Sequence, residues 1–444
     1  MNIRITKPIQ GGSVQAIASK SQAHRLLICA AVCAAGAVRE TFIACGSRSQ
    51  DIEATARCLE SLGAIVRRTP AGYYVTPLSR KKNAGVSVLD CGESGSTLRF
   101  LLPVCGALGR TASFIMGGRL PARPLSALYD EMASHGCTLT EPGNSPLNCE
   151  GQLTSGTYTL PGNVSSQFIS GLLFALPLLP AECNSPSEIR FPTESVIRVT
   201  GVLESRPYVD MTLDALRLFG LLISEDDTQR CFRVPGGQTG SSPETVPVEG
   251  DWSNAAFWLS AGAIGSGEIT CTGLNPESRQ GDRAIIELLI RFGAKVTVHN
   301  DPRRSVCTAA SGKLHGIDID AENIPDLVPV LAAVASVAEG KTTIRNAGRL
   351  RIKESDRLRT ITDSLSSLGA DITETENGLI IIGKKTLKGG ETDSYGDHRI
   401  AMTAAVLSSV CSSGVTIKNA EAVNKSYPGF FEDFSALGGK SEAA

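Results

Sequence analysis

The chain predicts an α/β architecture built from six copies of one β-α-β-α-β-β unit, three in each of two domains. Two observations lead there. Six times an apolar stretch with helical spacing ends in a glycine and then turns strand-like. The copies read CLESLGAIV (Gly63), DEMASHGCTL (Gly136), ALRLFGLLI (Gly220), LLIRFGAKV (Gly293), SLSSLGADI (Gly369) and DFSALGG (Gly438). These glycines lie 73, 84, 73, 76 and 69 residues apart, a period longer than the usual solenoid repeats, so each copy is a larger α/β unit. A glycine just past a helix accepts the left-handed backbone that closes it. The second observation is a set of upstream helix starts with the same rhythm, near Lys20, Ser94, Ser165, Asp251, Asp326 and Asp397.

Taken in order, each of these first helices is followed by a second, starting near Asp51, Arg123, Asp210, Asp282, Glu354 and Pro428. Among them lie the β-branched runs SVLDC, ASFIM, SEIRF, EITCT, TTIRN and VTIKN, which read as strands. The longest apolar run, Phe168 to Ala181, is interrupted by two prolines and a Ser-Gly pair. It is too short to span a bilayer and reads as a buried helix. The most linker-like stretch is Pro235 to Pro247 (PGGQTGSSPETVP), where three repeats end.

At 444 residues the length suits two or three domains, and six repeats favour two sets of three. The net charge of −2 gives no whole-chain case for binding nucleic acid or an anionic membrane. Thirteen cysteines are scattered without a CxxC or a Cys/His cluster, which suits reduced, buried thiols in a cytosol. With five histidines and no HExxH motif, no metal site is expected. The N-terminal MNIRITKPIQG has neither a hydrophobic signal core nor transit-peptide character. A cytoplasmic location follows as the expectation.

Polar and charged residues cluster at the helix starts. Ser19-Lys20-Ser21 with Arg25 opens the first, and GESGST (Gly92–Thr97) with Arg99 opens the second repeat. Gly117-Gly118-Arg119 and Arg123-Pro124 follow, then Ser165-Ser166-Gln167. Asp326, the KESDR run at Lys353–Arg357, Asp397-His398-Arg399 and Lys425 mark the later ones. Singly, Ser, Thr and Asp here are ordinary N-caps, Asp397 among them. Glu354 and Arg357, three apart, could form a surface ion pair, and His398 could be a satisfied core histidine. Caps do not explain Lys20, Arg25, Arg123, Lys353 and Arg357, which the helix dipole disfavours unless an anion offsets them. Helix N-termini with cations beside them form a polyanion site, suited to a small phosphorylated ligand.

The segments SKSQAHR, CGESGSTLR, LPARPL, SSQF, PYVDMTL, VEGDWSNAAFWLSAGAI, QGDR, IPDLVPVLA, KESDRL, GDHRIAM and NKSYPGFFEDF resemble, in order and over nearly the whole chain, the 5-enolpyruvylshikimate-3-phosphate synthases. The resemblance implies a two-domain enolpyruvyl transferase-like fold with three repeats per domain and two hinge crossings. One domain is then residues 20–247, the shikimate 3-phosphate side, and the other joins 1–19 to 248–444. It further implies transfer of the enolpyruvyl group of phosphoenolpyruvate to the 5-hydroxyl of shikimate 3-phosphate, on the way to chorismate and the aromatic amino acids. No metal or cofactor is implied, the partners are the two small substrates, and the chain is expected to act as a monomer.

Carried over position by position, the resemblance assigns Lys20, Ser21, Arg25, Ser165, Ser166, Gln167, Ser205, Tyr208, Asp326 and Lys353 to shikimate 3-phosphate. Lys20, Gly95, Arg123, Gln167, Arg357, Arg399 and Lys425 are assigned to phosphoenolpyruvate, and Asp326, Glu354 and Lys20 to catalysis. Two positions depart from the family pattern: Glu93 stands where many relatives have Asn in a GNAGT loop, and Phe100 where some have Pro. Two rival readings compete. The sister transferases acting on UDP-N-acetylglucosamine typically read Lys-Asn where this chain reads Lys20-Ser21, and commonly carry a Cys in the loop matching Gly117–Pro124, which here has none. A non-catalytic repeat scaffold would not gather acids and cations at one end of its repeats.

Overall fold

The computed structural model describes residues 1–33, 40–79, 85–180, 193–265, 267–299 and 306–444. Among them are twelve α-helices: α1 (Lys20–Val32), α2 (Gln50–Ser61), α3 (Gly95–Ala107), α4 (Ser126–Ser134), α5 (Ser166–Ala175), α6 (Arg206–Leu218), α7 (Trp252–Ile264), α8 (Ile285–Phe292), α9 (Val328–Ala335), α10 (Arg357–Ser367), α11 (His398–Leu407) and α12 (Phe430–Ala436). The chain divides into two units, Lys20–Val248 and Met1–Ser19 with Glu249–Ala444. The return crossing falls after Val248, one residue beyond Pro247.

Each unit holds three four-stranded sheets of one pattern, a parallel pair followed by two antiparallel partners. In the second repeat Ser87–Asp90 runs parallel to Ala112–Ile115, which pairs antiparallel with Leu147–Gly151, and that strand with Cys137–Leu139. Two helices complete the unit, giving β-α-β-α-β-β. The chain ends close the circle within each unit. Thr245–Pro247 supplies the parallel strand beside Thr41–Ala44 of the first repeat, so the linker-like stretch ends in a strand. Ile3–Lys7 lies between Val415–Lys418 and Lys440–Ala443 in the last repeat, and Gly12–Gln15 pairs parallel with Ile269–Thr272. The run SEIRF lies outside the described residues.

Within a repeat the two helices differ in kind. The first is apolar almost all round and enclosed: every residue of α7, α9 and α11 is buried, and these three pack on one another in their unit. The second is amphipathic and lies over the sheet edge, as in α2, α8 and α10. The six signature glycines follow the second helices, and all have positive φ, from 71° at Gly220 to 100° at Gly369. The buried apolar run is shorter than the sequence implies. Helix α5 ends at Ala175, and Pro177 sits in a 3-10 turn, Leu176–Leu178, because proline lacks the N–H that would continue the helix. Ala181 is outside the described residues.

Most of the inner helices begin at a side-chain cap. Ser94, Ser165, Asp251 and Asp397 cap α3, α5, α7 and α11 with their side chains. Helix α9 begins later than expected, at Val328, after a 3-10 turn Pro325–Leu327 that carries Asp326. Arg357 is the first residue of α10, behind its cap Asp356.

Candidate active site

In the Lys20–Val248 unit, Lys20 opens α1 and its Nζ lies 2.9 Å from Asp51 Oδ2 at the start of α2. One turn on, Arg25 is buried and joins α1 to α6. Its Nε donates to Thr212 Oγ1 at 2.8 Å, Nη1 to Ser21 O at 2.6 Å and Nη2 to Tyr208 O at 2.7 Å. Burial lowers its pKa to about 10, still well above neutrality. Ser205 stands at the N-cap position of α6, in the left-handed region at φ 56°, without a side-chain capping bond. The next residue, Arg206, holds that turn by donating to Asp210 at 2.7 Å and Glu225 Oε2 at 2.8 Å.

Helices α3 and α5 bring a second group together. Gly171 permits their close approach, since a Cβ there would lie 2.2 Å from Arg99 O. Gln167 Nε2 donates to Ser96 Oγ at 2.9 Å, and its Oε1 accepts from Arg99 Nη1 at 3.3 Å. Arg99 also donates to Pro124 O at 3.0 Å, which ties the loop carrying Arg123 to α3. A Cβ on Gly95 would meet the guanidinium groups of Arg99 and Arg123 at 2.5 and 2.8 Å, so only glycine lets both cations close over this helix start. Ser165 caps α5 through Gln167 N at 3.3 Å, and Ser166 is buried beside it. The Glu93 carboxylate packs on the Gly117-Gly118 turn, within 2.5 Å of where a Gly118 Cβ would stand.

In the other unit Arg357 is the centre. It is 1% exposed and faces three carboxylates: Asp397 Oδ2 at 2.7 Å, Glu354 Oε2 at 2.8 Å and Asp326 Oδ1 at 3.0 Å. Arg399 Nη2 reaches the other oxygen of Asp326 at 3.0 Å and its Nη1 the Asp326 carbonyl at 3.1 Å. Burial alone would raise the Asp326 carboxyl. Arg399, Lys353 and Arg357 outweigh burial and the Glu354 charge, and hold it far below the usual carboxylate range. Lys353 moves the other way: burial, aided by Arg349 and Arg357 against Asp326 and Glu354, lowers its ammonium to about 8. Lys425 is buried at the end of a 3-10 turn, Ala420–Lys425, ahead of α12. His398 is buried, its Nδ1 3.7 Å from Asp397 Oδ1.

Two bland readings are corrected here. Glu354 and Arg357 do pair, but in a buried cluster rather than on a surface, since the guanidinium is enclosed by α10, α11 and the Asp326 turn. Asp397 does cap α11, accepting from Arg399 N at 3.0 Å, yet it is also the shortest ionic contact of Arg357. The sequence reading missed Asp282. It is 1% exposed, hydrogen-bonded to Ser253, and one of its oxygens has no hydrogen-bond partner. Burial, then the Asp326 charge, raise its pKa to about 7. In sequence it stands only as a helix start and as the Asp of QGDR, neither of which marks it as a site residue.

Six βαβαββ repeats in two units, with cations gathered over helix N-termini, define an enolpyruvyl transferase architecture. Solved structures share the fold: an EPSP synthase of Acinetobacter baumannii at TM-score 0.79 and 24% identity over 99% of each chain, and the enolpyruvyl transferase NikO of Streptomyces tendae at 0.74 and 18%, over 99% of this chain and 98% of that one. The family model for EPSP synthase (3-phosphoshikimate 1-carboxyvinyltransferase) matches residues 3–434. Relatives named 3-phosphoshikimate 1-carboxyvinyltransferase include one from Clostridium kluyveri, 44% identical over 97% of this chain and 95% of its own, and one from Clostridium perfringens, 43% identical over 96% of each. The chain belongs to the EPSP synthase family.

Proposed function

We propose that this chain transfers the enolpyruvyl group of phosphoenolpyruvate to the 5-hydroxyl of shikimate 3-phosphate, releasing phosphate, as a monomeric cytoplasmic enzyme. The observation that carries the reading is the family match over residues 3–434, joined to cation-rich helix starts in each unit. In the addition step the 5-hydroxyl oxygen bonds to C2 of the enolpyruvate and loses its proton while C3 gains one. In the elimination step the bond from C2 to the phosphate oxygen breaks as C3 returns a proton. No electrons are exchanged with a cofactor; the demand is for cations to hold two polyanions and for groups that move protons.

Lys20, Gly95, Arg123, Gln167, Arg357, Arg399 and Lys425 hold phosphoenolpyruvate. Ser21, Arg25, Ser165, Ser166, Ser205, Tyr208 and Lys353 hold shikimate 3-phosphate, with contributions from Lys20, Gln167 and Asp326. Asp326 has so little proton affinity that it accepts a hydrogen bond from the 5-hydroxyl and orients it, but is a weak base toward it. Glu354 carries the proton at C3, with Lys20 sharing that work. Arg357, already committed to three carboxylates, fixes their orientation as well as facing the substrate. The test is phosphate release from phosphoenolpyruvate with each of two acceptors. Turnover with shikimate 3-phosphate and none with UDP-N-acetylglucosamine is expected; the reverse would replace this reading with the sister transferase.

A further inference from the structure

A buried chain of side-chain hydrogen bonds, none of whose members is assigned to a substrate above, crosses the Lys20–Val248 unit. His24 Nδ1 lies 2.7 Å from Thr55 Oγ1, Thr55 Oγ1 lies 2.7 Å from Thr97 Oγ1, and Thr97 Oγ1 donates to Ser94 Oγ at 2.8 Å. His24, Thr55 and Thr97 are each 0% exposed and Ser94 is 1%. The chain links the second turn of α1, the middle of α2 and the N-cap of α3. Near its ends stand two of the four phosphoenolpyruvate residues of this unit, Lys20 one turn before His24 at the start of α1 and Gly95 next after Ser94 at the start of α3.

The direction of the chain follows from proton counting. A hydroxyl has one proton to give. Thr97 gives its proton to Ser94, so it accepts from Thr55; Thr55 has then used its own, so it accepts from His24. The imidazole must therefore carry its proton on Nδ1. Its Nε2 makes no hydrogen bond, as suits the lone-pair nitrogen of that tautomer. We propose that His24, Thr55 and Thr97 are positioning residues of the enolpyruvyl transfer, a one-way hydrogen-bond chain that fixes the Gly95 helix start relative to Lys20. The inference rests on the function proposed above. The ring stays neutral, as the chain needs: burial, with Lys20 and Arg25 against Asp51, lowers its pKa to about 3. A second tie, Lys20 to Asp51 at 2.9 Å, joins α1 to α2, and the Arg25 guanidinium lies over the Phe100 ring of α3 at 5.1 Å, while the hydroxyl chain reaches α3 at its N-cap.

Isosteric removal of single links tests the idea. Thr55→Val and Thr97→Val each delete one hydroxyl and leave a buried neighbour without its partner, while Thr97→Ser keeps the chain. Each Val variant should raise the KM for phosphoenolpyruvate roughly tenfold, the scale of one buried hydrogen bond. The binary dissociation constant of shikimate 3-phosphate should stay within about twofold, because none of its assigned residues lies on α3, whose start the chain holds, and five of them lie on α5 and α6 or their caps. The double variant should be no worse than the worse single one, since the links act as one unit, and Thr97→Ser should restore the unsubstituted value. Independently of turnover, nitrogen NMR of the unsubstituted chain should show His24 as the Nδ1–H tautomer, and Thr55→Val should abolish that preference. Equal losses for both substrates, a fall in Tm with no change in KM, or an Nε2–H tautomer in the unsubstituted chain would each overturn the proposal. No turnover in the unsubstituted chain would instead overturn the functional reading on which it rests.

Discussion

Replacing Arg357 with Met removes the cation at the centre of the Glu249–Ala444 half and keeps a side chain of similar reach. Three carboxylates lose a partner, but unequally. Asp326 keeps Arg399 at 3.0 Å, and Glu354, with a side chain 13% exposed, can draw water. Asp397 is 0% exposed and is left with Ser355 Oγ at 3.1 Å and Arg399 N at 3.0 Å. Breaking a buried ion pair from one side costs about 3–5 kcal/mol, and here that cost falls mainly on Asp397. For a unit of this size it corresponds to a Tm loss of roughly 6–20 °C. Trp252 and Trp258 are the chain's two tryptophans, both buried in α7 of this same unit, so their fluorescence in denaturant follows its unfolding alone. Adding Asp397→Asn should restore more than half of the lost stability, because the orphaned charge goes with it. A loss below about 1 kcal/mol, or a double variant less stable than Arg357→Met, would refute Arg357 as the structural centre and leave it as a substrate contact alone.

Local signals carried much of the fold into the sequence. The six glycines after the second helices were legible because each terminates a helix by its own backbone freedom, and the caps Ser94, Ser165, Asp251 and Asp397 because capping is local too. The circular closure was not legible. That Thr245–Pro247 pairs with Thr41–Ala44 depends on a contact across some two hundred residues, and no pattern in PGGQTGSSPETVP announces a strand. The site divides the same way. The residue types and their clustering at helix starts were readable, and so was the family. What each cation does was not: Arg357 reads as an anion donor in KESDRL, and only packing reveals three carboxylates around it. The chain through His24, Thr55 and Thr97 was hidden because its members sit on three helices in two repeats.

Glu354→Gln keeps shape and hydrogen bonding but removes the titrating group, so turnover should fall roughly 10²–10⁴-fold with substrate affinity near normal by calorimetry; near-normal turnover would leave Glu354 as a buried ion-pair partner only. Asp326→Asn should cut turnover and also weaken shikimate 3-phosphate binding, and an unchanged dissociation constant would remove the hydroxyl-orienting role. Lys353, lowered to about 8, should lose its proton above that pH, so affinity for shikimate 3-phosphate should decline by up to about tenfold per pH unit there; Lys353→Met should flatten the profile, and a flat profile in the unsubstituted chain would sink the assignment. The last expectation concerns Asp282, raised to about 7. An unfolded carboxyl titrates near 4, so between about pH 4 and 7 the native chain binds the extra proton and stability from this group falls as pH rises. Above about 7 the native protein carries the full cost of a buried carboxylate beside Asp326. Asp282→Asn abolishes that titration and preserves an acceptor for Ser253. The stability gained by the substitution, read from tryptophan fluorescence in denaturant, should therefore be larger at about pH 8 than at about pH 5, by about 1–3 kcal/mol. Asp326 does not confound the comparison: its pKa is lowered, so its stabilisation is present above about pH 4 and is lost only on acidification below that. An equal gain at both pH values would mean Asp282 is ionised throughout, with enough compensation from Arg399 and Ser253 to cancel its burial.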